Sequence, residues 1–307
     1  MPLSDKTKGY IALCITSFVW GTTWVVSKLG VMEVPALQLA CIRQFCGGSI
    51  FVLFFLLYKK LPLPTAKQFR WLFVMSIILF VSANALSTWG IKYIPSGLGA
   101  LIGALYPLCV VIIEKVFFKS KKLTALTLLG LFLGIAGIAL VFYENAFSGN
   151  DPNFLFGLAL SITAMLSWSA GTIFMARNKV EINTYYGVGW QMLISSAILF
   201  IVIQFLPDVV PLAKLSSRFW LVVLYLVVFG SLMAFVAFIY SIKKLPAAIS
   251  SLYAYINPII AMLCGYLILK EKLSSSIFIG SFVTLVGVFL VNYSVKKSSQ
   301  NEIEPEI

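Results

Sequence analysis

Residues 242–258 read IKKLPAAISSLYAYINP, and residues 91–107 read IKYIPSGLGALIGALYP. At a constant offset of 151, Ile91, Lys92, Pro95, Leu101 and Pro107 meet Ile242, Lys243, Pro246, Leu252 and Pro258. Small residues follow the first proline in both copies. Each stretch is apolar yet keeps hydrogen-bonding groups near its second proline: Tyr106 in one, Ser250, Ser251, Tyr253, Tyr255 and Asn257 in the other. The register persists outward. After a one-residue shift, Leu123, Gly130, Gly137, Leu140 and Val141 meet Leu273, Gly280, Gly287, Leu290 and Val291. Upstream, an offset of 148 pairs Gly9 with Gly157 and Trp20 with Trp168. The chain is read as two related halves, 1–145 and 155–297, joined by the polar stretch YENAFSGNDPN. A polar, acidic tail, 298–307, is expected to be a disordered cytoplasmic end.

Composition gives these halves their surroundings. The chain is 60% hydrophobic and 11% charged, with a mean hydropathy of +0.98. That lies outside the range of a water-soluble domain. A helix of about 20 apolar residues crosses the hydrocarbon layer. The runs predict spans at 9–31, 36–57, 70–90, 95–117, 123–142, 155–176, 184–205, 219–241, 246–269 and 274–293. They are continuously apolar and do not alternate, which argues against a membrane β-barrel. Five spans per half is an odd number, so the second half enters the bilayer upside down. The expected fold is an all-α polytopic membrane protein with ten transmembrane helices in a 5+5 inverted-topology repeat.

The net charge of +12 is distributed by side. Lys28, Lys92, Lys214, Arg218, Lys270 and Lys272 fall at one set of helix ends, Arg43 lies inside a span, and the other sixteen of the 23 Lys and Arg residues fall at the opposite ends. The excess of cations on one side places both termini in the cytoplasm of a multi-pass protein of the bacterial inner membrane. The basic balance thus reads as topology, and nucleic acid is not expected as a partner. The first span is too long for a signal-peptide core and lacks a small-residue cleavage pattern. Cys14, Cys41, Cys46, Cys109 and Cys264 lie within spans and read as small packing residues. No phosphate-binding loop, metal-ligand cluster or hydrolase elbow is present in the sequence. No enzyme activity, metal or cofactor is therefore expected. The expected partners are the lipid bilayer and a small-molecule substrate, with homo-oligomerisation left open.

Inverted repeats place their sites near the midplane, where helices are interrupted at matching positions. Pro107 and Pro258 read as those helix breaks, since each removes a backbone donor. Tyr106 lies eleven residues beyond Pro95, about 16 Å along a helix, and Asn257 lies equally far beyond Pro246. Both therefore fall near mid-bilayer, with Tyr253 on the same segment. Trp20 and Trp168 sit half-way through their spans, whereas belt tryptophans belong at the interfaces. Trp24 follows Trp20 by one turn. In the third span, Asn84 and Thr88 share a face by four-residue spacing. Arg43 is the only Arg or Lys deep in a span, and its repeat mate is Gln191. Intramembrane ionisable residues are costly and point to function. A guanidinium suits a carboxylate or phosphate. Trp20, Trp24, Arg43, Asn84, Thr88, Tyr106, Trp168, Gln191, Tyr253 and Asn257 are the expected substrate-binding set.

WGTTW at 20–24, Arg43 in the second span, and the segment from Asn257 to Val291 carrying Pro258, Glu271, Leu273, Gly280 and Gly287 resemble the EamA-type family of the drug/metabolite transporter superfamily. The resemblance spans roughly residues 9–293. It implies a 5+5 transporter with a central cavity built mainly from helices 1, 3, 4, 6, 8 and 9. One departure is visible: the first repeat carries Lys121 where the second carries Glu271. The expected function is secondary transport of small polar metabolites by alternating access, with export of amino acids or related compounds. Efflux of lipophilic or cationic drugs is the alternative within transport, supported by the aromatics and opposed by Arg43. A membrane scaffold without flux is the alternative outside it.

Overall fold

The structure is a computed structural model describing residues 4–118, 123–147, 152–177, 180–245, 247–250 and 252–300. Pro246, Ser251, Lys121 and the segment 301–307 lie outside the described residues. Among the described residues every regular element is helical, and ten helices follow one another. They are α1 (Asp5–Val31), α2 (Ala36–Tyr58), α3 (Ala66–Gly90), α4 in two halves (Ser96–Ala104 and Tyr106–Phe118) and α5 (Ala125–Phe147). The second set is α6 (Phe154–Arg177), α7 (Thr184–Ile203), α8 (Ser217–Lys244), α9 in two pieces (Ala247–Ser250 and Tyr253–Leu269) and α10 (Ser275–Gln300). Eight are long and apolar enough to span a bilayer. The halves of α4, bent by 41°, make a ninth when taken as one span, and Tyr253–Leu269 of α9 is a shorter apolar helix. The helix α10 runs to Gln300, into the stretch expected to be a disordered tail.

Local chemistry sets the ends of these helices. Ser4 caps α1 by accepting from Thr7 N (3.1 Å). Thr65 and Gln68 form a reciprocal capping box at α3, and Asn183 accepts from Tyr185 N and Tyr186 N at α7. Prolines 35 and 95 stand immediately before α2 and α4. Polarity runs inside-out relative to a soluble protein. Phe205 is 83% and Phe278 76% exposed, while Gln44 is 1% exposed and Ser195 fully buried. The exposed apolar rings meet lipid, and buried polar groups bond between helices.

Repeat-equivalent helices pack on one another. Helices α5 and α10 cross through glycines: a Cβ at Gly130 or Gly137 would collide with the backbone at Gly287 or Gly280. Likewise α2 and α7 meet where Gly48 lies against the Gly189 carbonyl. Such small-residue faces let backbones approach where burial from water supplies no driving force. These two pairs leave α1, α3, α4, α6, α8 and α9 around the centre.

Two central helices share an irregularity. Ser76–Ala85 in α3 and Leu226–Met233 in α8 are wound as π-helix. Their starts differ by a spacing inside the 148–151 register of the repeat. Widened turns free backbone carbonyls from the regular ladder and recur at functional sites. Both stretches border the cavity described next.

Candidate binding cavity

A cavity of about 250 Å³ lies between the two repeats. Trp20, Trp24, Arg43, Asn84, Thr88, Tyr106, Trp168, Tyr253 and Asn257 all line it. Gln191 does not. It is buried in α7 with no hydrogen-bond partner for Oε1 among the described residues, and Met192 takes the cavity-facing position. One residue corresponds to about 100° around a helix. A single-position difference in register therefore turns the repeat mate of Arg43 away from the centre.

The guanidinium of Arg43 reaches α8, where Nε donates to Ser231 Oγ (3.1 Å). Nη2 lies beside Gly230, 3.4 Å from where a Cβ on that glycine would sit. No carboxylate pairs with Arg43 among the described residues. Its neighbour Gln44 is a hub that the sequence reading missed. Gln44 Nε2 donates to Phe80 O (3.2 Å) and Asn84 Oδ1 (3.1 Å), while Ser195 Oγ donates to Gln44 Oε1. This links α2 to α3 and α7. The available signal was the pair Arg43–Gln44, two adjacent polar residues within one span.

The π-helical stretches explain part of this wiring. Phe80 and Gly230 are each the fifth residue of their stretch. Phe80 O accepts from Gln44, and Gly230 O accepts from Trp20 Nε1 (3.1 Å). Equivalent carbonyls in the two repeats thus receive side-chain donors from neighbouring helices. Thr88 Oγ1 returns to Asn84 O (2.8 Å), so its donor is used within α3.

The two prolines behave differently. Pro107 occupies the second position of the second half of α4, where an N–H has no helical partner to lose. The bend precedes it, at Leu105. Pro258 corrects the expectation, because Tyr253–Leu269 runs through it as one helix. Among the described residues, the non-helical position of α9 lies upstream, at the turn of Leu252 that precedes Tyr253. Asn257, with its amide oriented toward the acceptors around it, donates to Ser17 O (2.7 Å) and Tyr253 O (3.3 Å). It ties α9 to α1.

Aromatic rings shape the walls. Trp24 lies against Gly99 and Gly103, whose missing side chains make room for its indole. Trp20, Phe238 and Tyr253 contact one another with centroids 5.1, 5.4 and 5.2 Å apart. This three-ring cluster joins α1, α8 and α9 at one end of the cavity. On that side Asp5 and Lys244 also pair at 2.5 Å.

Glu271 closes a contact between repeats at the opposite end. Lys270 adopts a left-handed turn (φ 57°), and Glu271 N bonds back to Gly265 O (3.1 Å). Its carboxylate accepts from Ser96 N (2.8 and 3.0 Å) and Ser96 Oγ (2.6 Å). A carboxylate at a helix N-terminus satisfies free donors and the dipole together. Glu271→Ala is expected to destabilise the fold by about 1–2 kcal/mol, the usual cost of losing such a cap. A thermal unfolding series should show Glu271→Gln less affected than Glu271→Ala; equal loss would assign the effect to charge alone.

Ten helices in an inverted repeat, enclosing between the halves a cavity with polar groups set in a largely apolar wall, define a transporter fold. The chain belongs to the EamA-like transporter family, whose sequence profile matches it twice, at residues 7–143 and 155–293. A transporter of Bacillus subtilis (strain 168), YoaV, is 23% identical over 291 residues, covering 94% of this chain and 98% of that one. An inner membrane transporter of Escherichia coli (strain K12), YedA, is 29% identical over 282 residues, covering 91% and 89%. A crystal structure with 18% sequence identity aligns with a TM-score of 0.63 over 94% of this chain and 98% of that chain, a likeness of fold. The protein is a multi-pass membrane transporter, with a small-molecule substrate and a lipid environment.

Proposed function

We propose that the protein is a secondary transporter of small polar metabolites that exports amino acids or related compounds by alternating access. The observation that carries this reading is Arg43, a guanidinium on the cavity wall without a carboxylate partner among the described residues. Holding such a charge inside a membrane is costly unless something compensates it. A substrate carboxylate does so with charge-assisted hydrogen bonds. The units 1–145 and 155–297 would alternate about this cavity, exposing it to one side and then the other. The distribution of cations supports cytoplasmic termini in a bacterial inner membrane. A lipophilic cation fits less well, since Arg43 is the charged side chain on the wall.

The test is flux in proteoliposomes, with labelled amino acids and related metabolites, with and without a pH gradient. Saturable movement of at least one carboxylate-bearing solute is expected. No movement of any solute would favour a scaffold without flux.

A further inference from the structure

We infer that the cavity is built for a net-anionic monocarboxylate with an apolar body, and that it binds such an acid more tightly than the same skeleton bearing an α-ammonium group. This rests on the transport reading above and, among the amino acids and related compounds named there, favours the related acids that lack an ammonium.

Charge is the first argument. Arg43 is the charged residue lining the cavity, and no Asp or Glu does so among the described residues. The carboxylates with assigned partners are engaged elsewhere, at helix ends. Asp5 pairs with Lys244, Glu33 with Arg218, Glu114 with Arg177, and Glu271 caps α4. A bound zwitterion would satisfy Arg43 with its carboxylate and leave its ammonium without an acidic partner. An acid lacking that group has no such cost.

Hydrogen-bonding capacity points the same way. The acceptors nearest Arg43 on the wall, those of Gln44, Asn84 and Gly230, are already occupied. Gln44 Oε1 receives Ser195, and Asn84 Oδ1 receives Gln44. The bond from Gln44 Nε2 to Phe80 O fixes the orientation of that amide, so Asn84 presents Oδ1 to Gln44 and keeps Nδ2 free to donate. Gly230 O is used by Trp20. What remains beside Arg43 is donors, its own Nη groups and Asn84 Nδ2, while the wall hydroxyls can serve either way. An ammonium brings only donors, whereas a carboxylate brings only acceptors.

The rest of the wall accepts an apolar body. Leu79, Ile102, Met165, Val188 and Met192 line it beside the tryptophans. Indole faces attract cations and compete for an ammonium. Arg43 opposes it with like charge on the same cavity.

Binding to the purified full-length protein decides between them, read by the intrinsic fluorescence of Trp20, Trp24 and Trp168 and checked by calorimetry. The probes are two matched pairs: 3-phenylpropionate with L-phenylalanine, and 4-methylpentanoate with L-leucine. Each deaminated acid should bind about tenfold more tightly than its amino acid, a difference of about 1.4 kcal/mol. The preference should collapse in Arg43→Gln. Equal or tighter binding of the amino acid in either pair overturns the inference, as does failure of both deaminated acids to bind. Flux of the amino acids in proteoliposomes under those outcomes leaves the transport reading standing; absence of flux for every solute removes that reading as well.

Discussion

Arg43→Gln should raise the half-saturation concentration for a transported carboxylate by about 10- to 100-fold while changing that of the matching amide little. The estimate follows from the loss of a charge-assisted bond inside the protein, worth about 1.5–3 kcal/mol. A glutamine keeps a donor that can reach Ser231 Oγ, the partner Arg43 Nε holds at 3.1 Å. The link from α2 to α8 therefore has a substitute, and the anion-binding Nη groups do not. Flux of an amino acid and its amide through both proteins separates the two roles. An equal fall for acid and amide, or none for either, would make Arg43 a strut between α2 and α8.

The sequence carried the ten helices because long apolar runs and a shared 148–151 register are signals that survive without knowing which face is which. Facing is a different matter in a membrane protein. Leu79, Ile102 and Met165 line the cavity, while Leu57, Phe205 and Phe278 face outward, and all are equally apolar. No hydrophobic stripe tells them apart. Polar residues did mark the centre, so Trp20, Arg43, Asn84 and Asn257 could be found by their cost at mid-span. Gln191 was misplaced because the repeat register, good enough to align helices, is not good enough to fix a rotation of one residue.

Other features depend on contacts far apart in sequence. Glu271 and Ser96 are separated by 175 residues, and nothing near either one announces their bond. The π-helical turns in α3 and α8 likewise come from packing, since Ser76–Ala85 reads as an ordinary apolar run. Pro258 illustrates the opposite error. A proline is a strong local signal, yet the helix continues through it and begins upstream, after the turn at Leu252. A neighbouring helix that re-satisfies freed backbone groups lets a membrane helix tolerate proline. Asn257, bonded to Ser17 O on α1, is such a tie.

Gln44→Leu is expected to cost stability and transport together, and the double variant Gln44→Leu/Ser195→Ala should recover part of the stability alone. Leucine is close to glutamine in volume, so packing changes little. What changes is that Asn84 Oδ1, Phe80 O and Ser195 Oγ lose their partner at once. A buried polar group left unpaired costs about 1–3 kcal/mol, more than the bond itself contributes, so the single variant should lose roughly 3 kcal/mol or more. Removing the Ser195 hydroxyl as well deletes one stranded donor and should return about 1 kcal/mol of that. Transport should not follow, because Asn84 remains unanchored on the cavity wall. Thermal unfolding of the four proteins of the cycle gives the coupling directly. Additive losses would mean that Gln44 and Ser195 act independently, and wild-type flux in Gln44→Leu would remove Asn84 positioning from the mechanism.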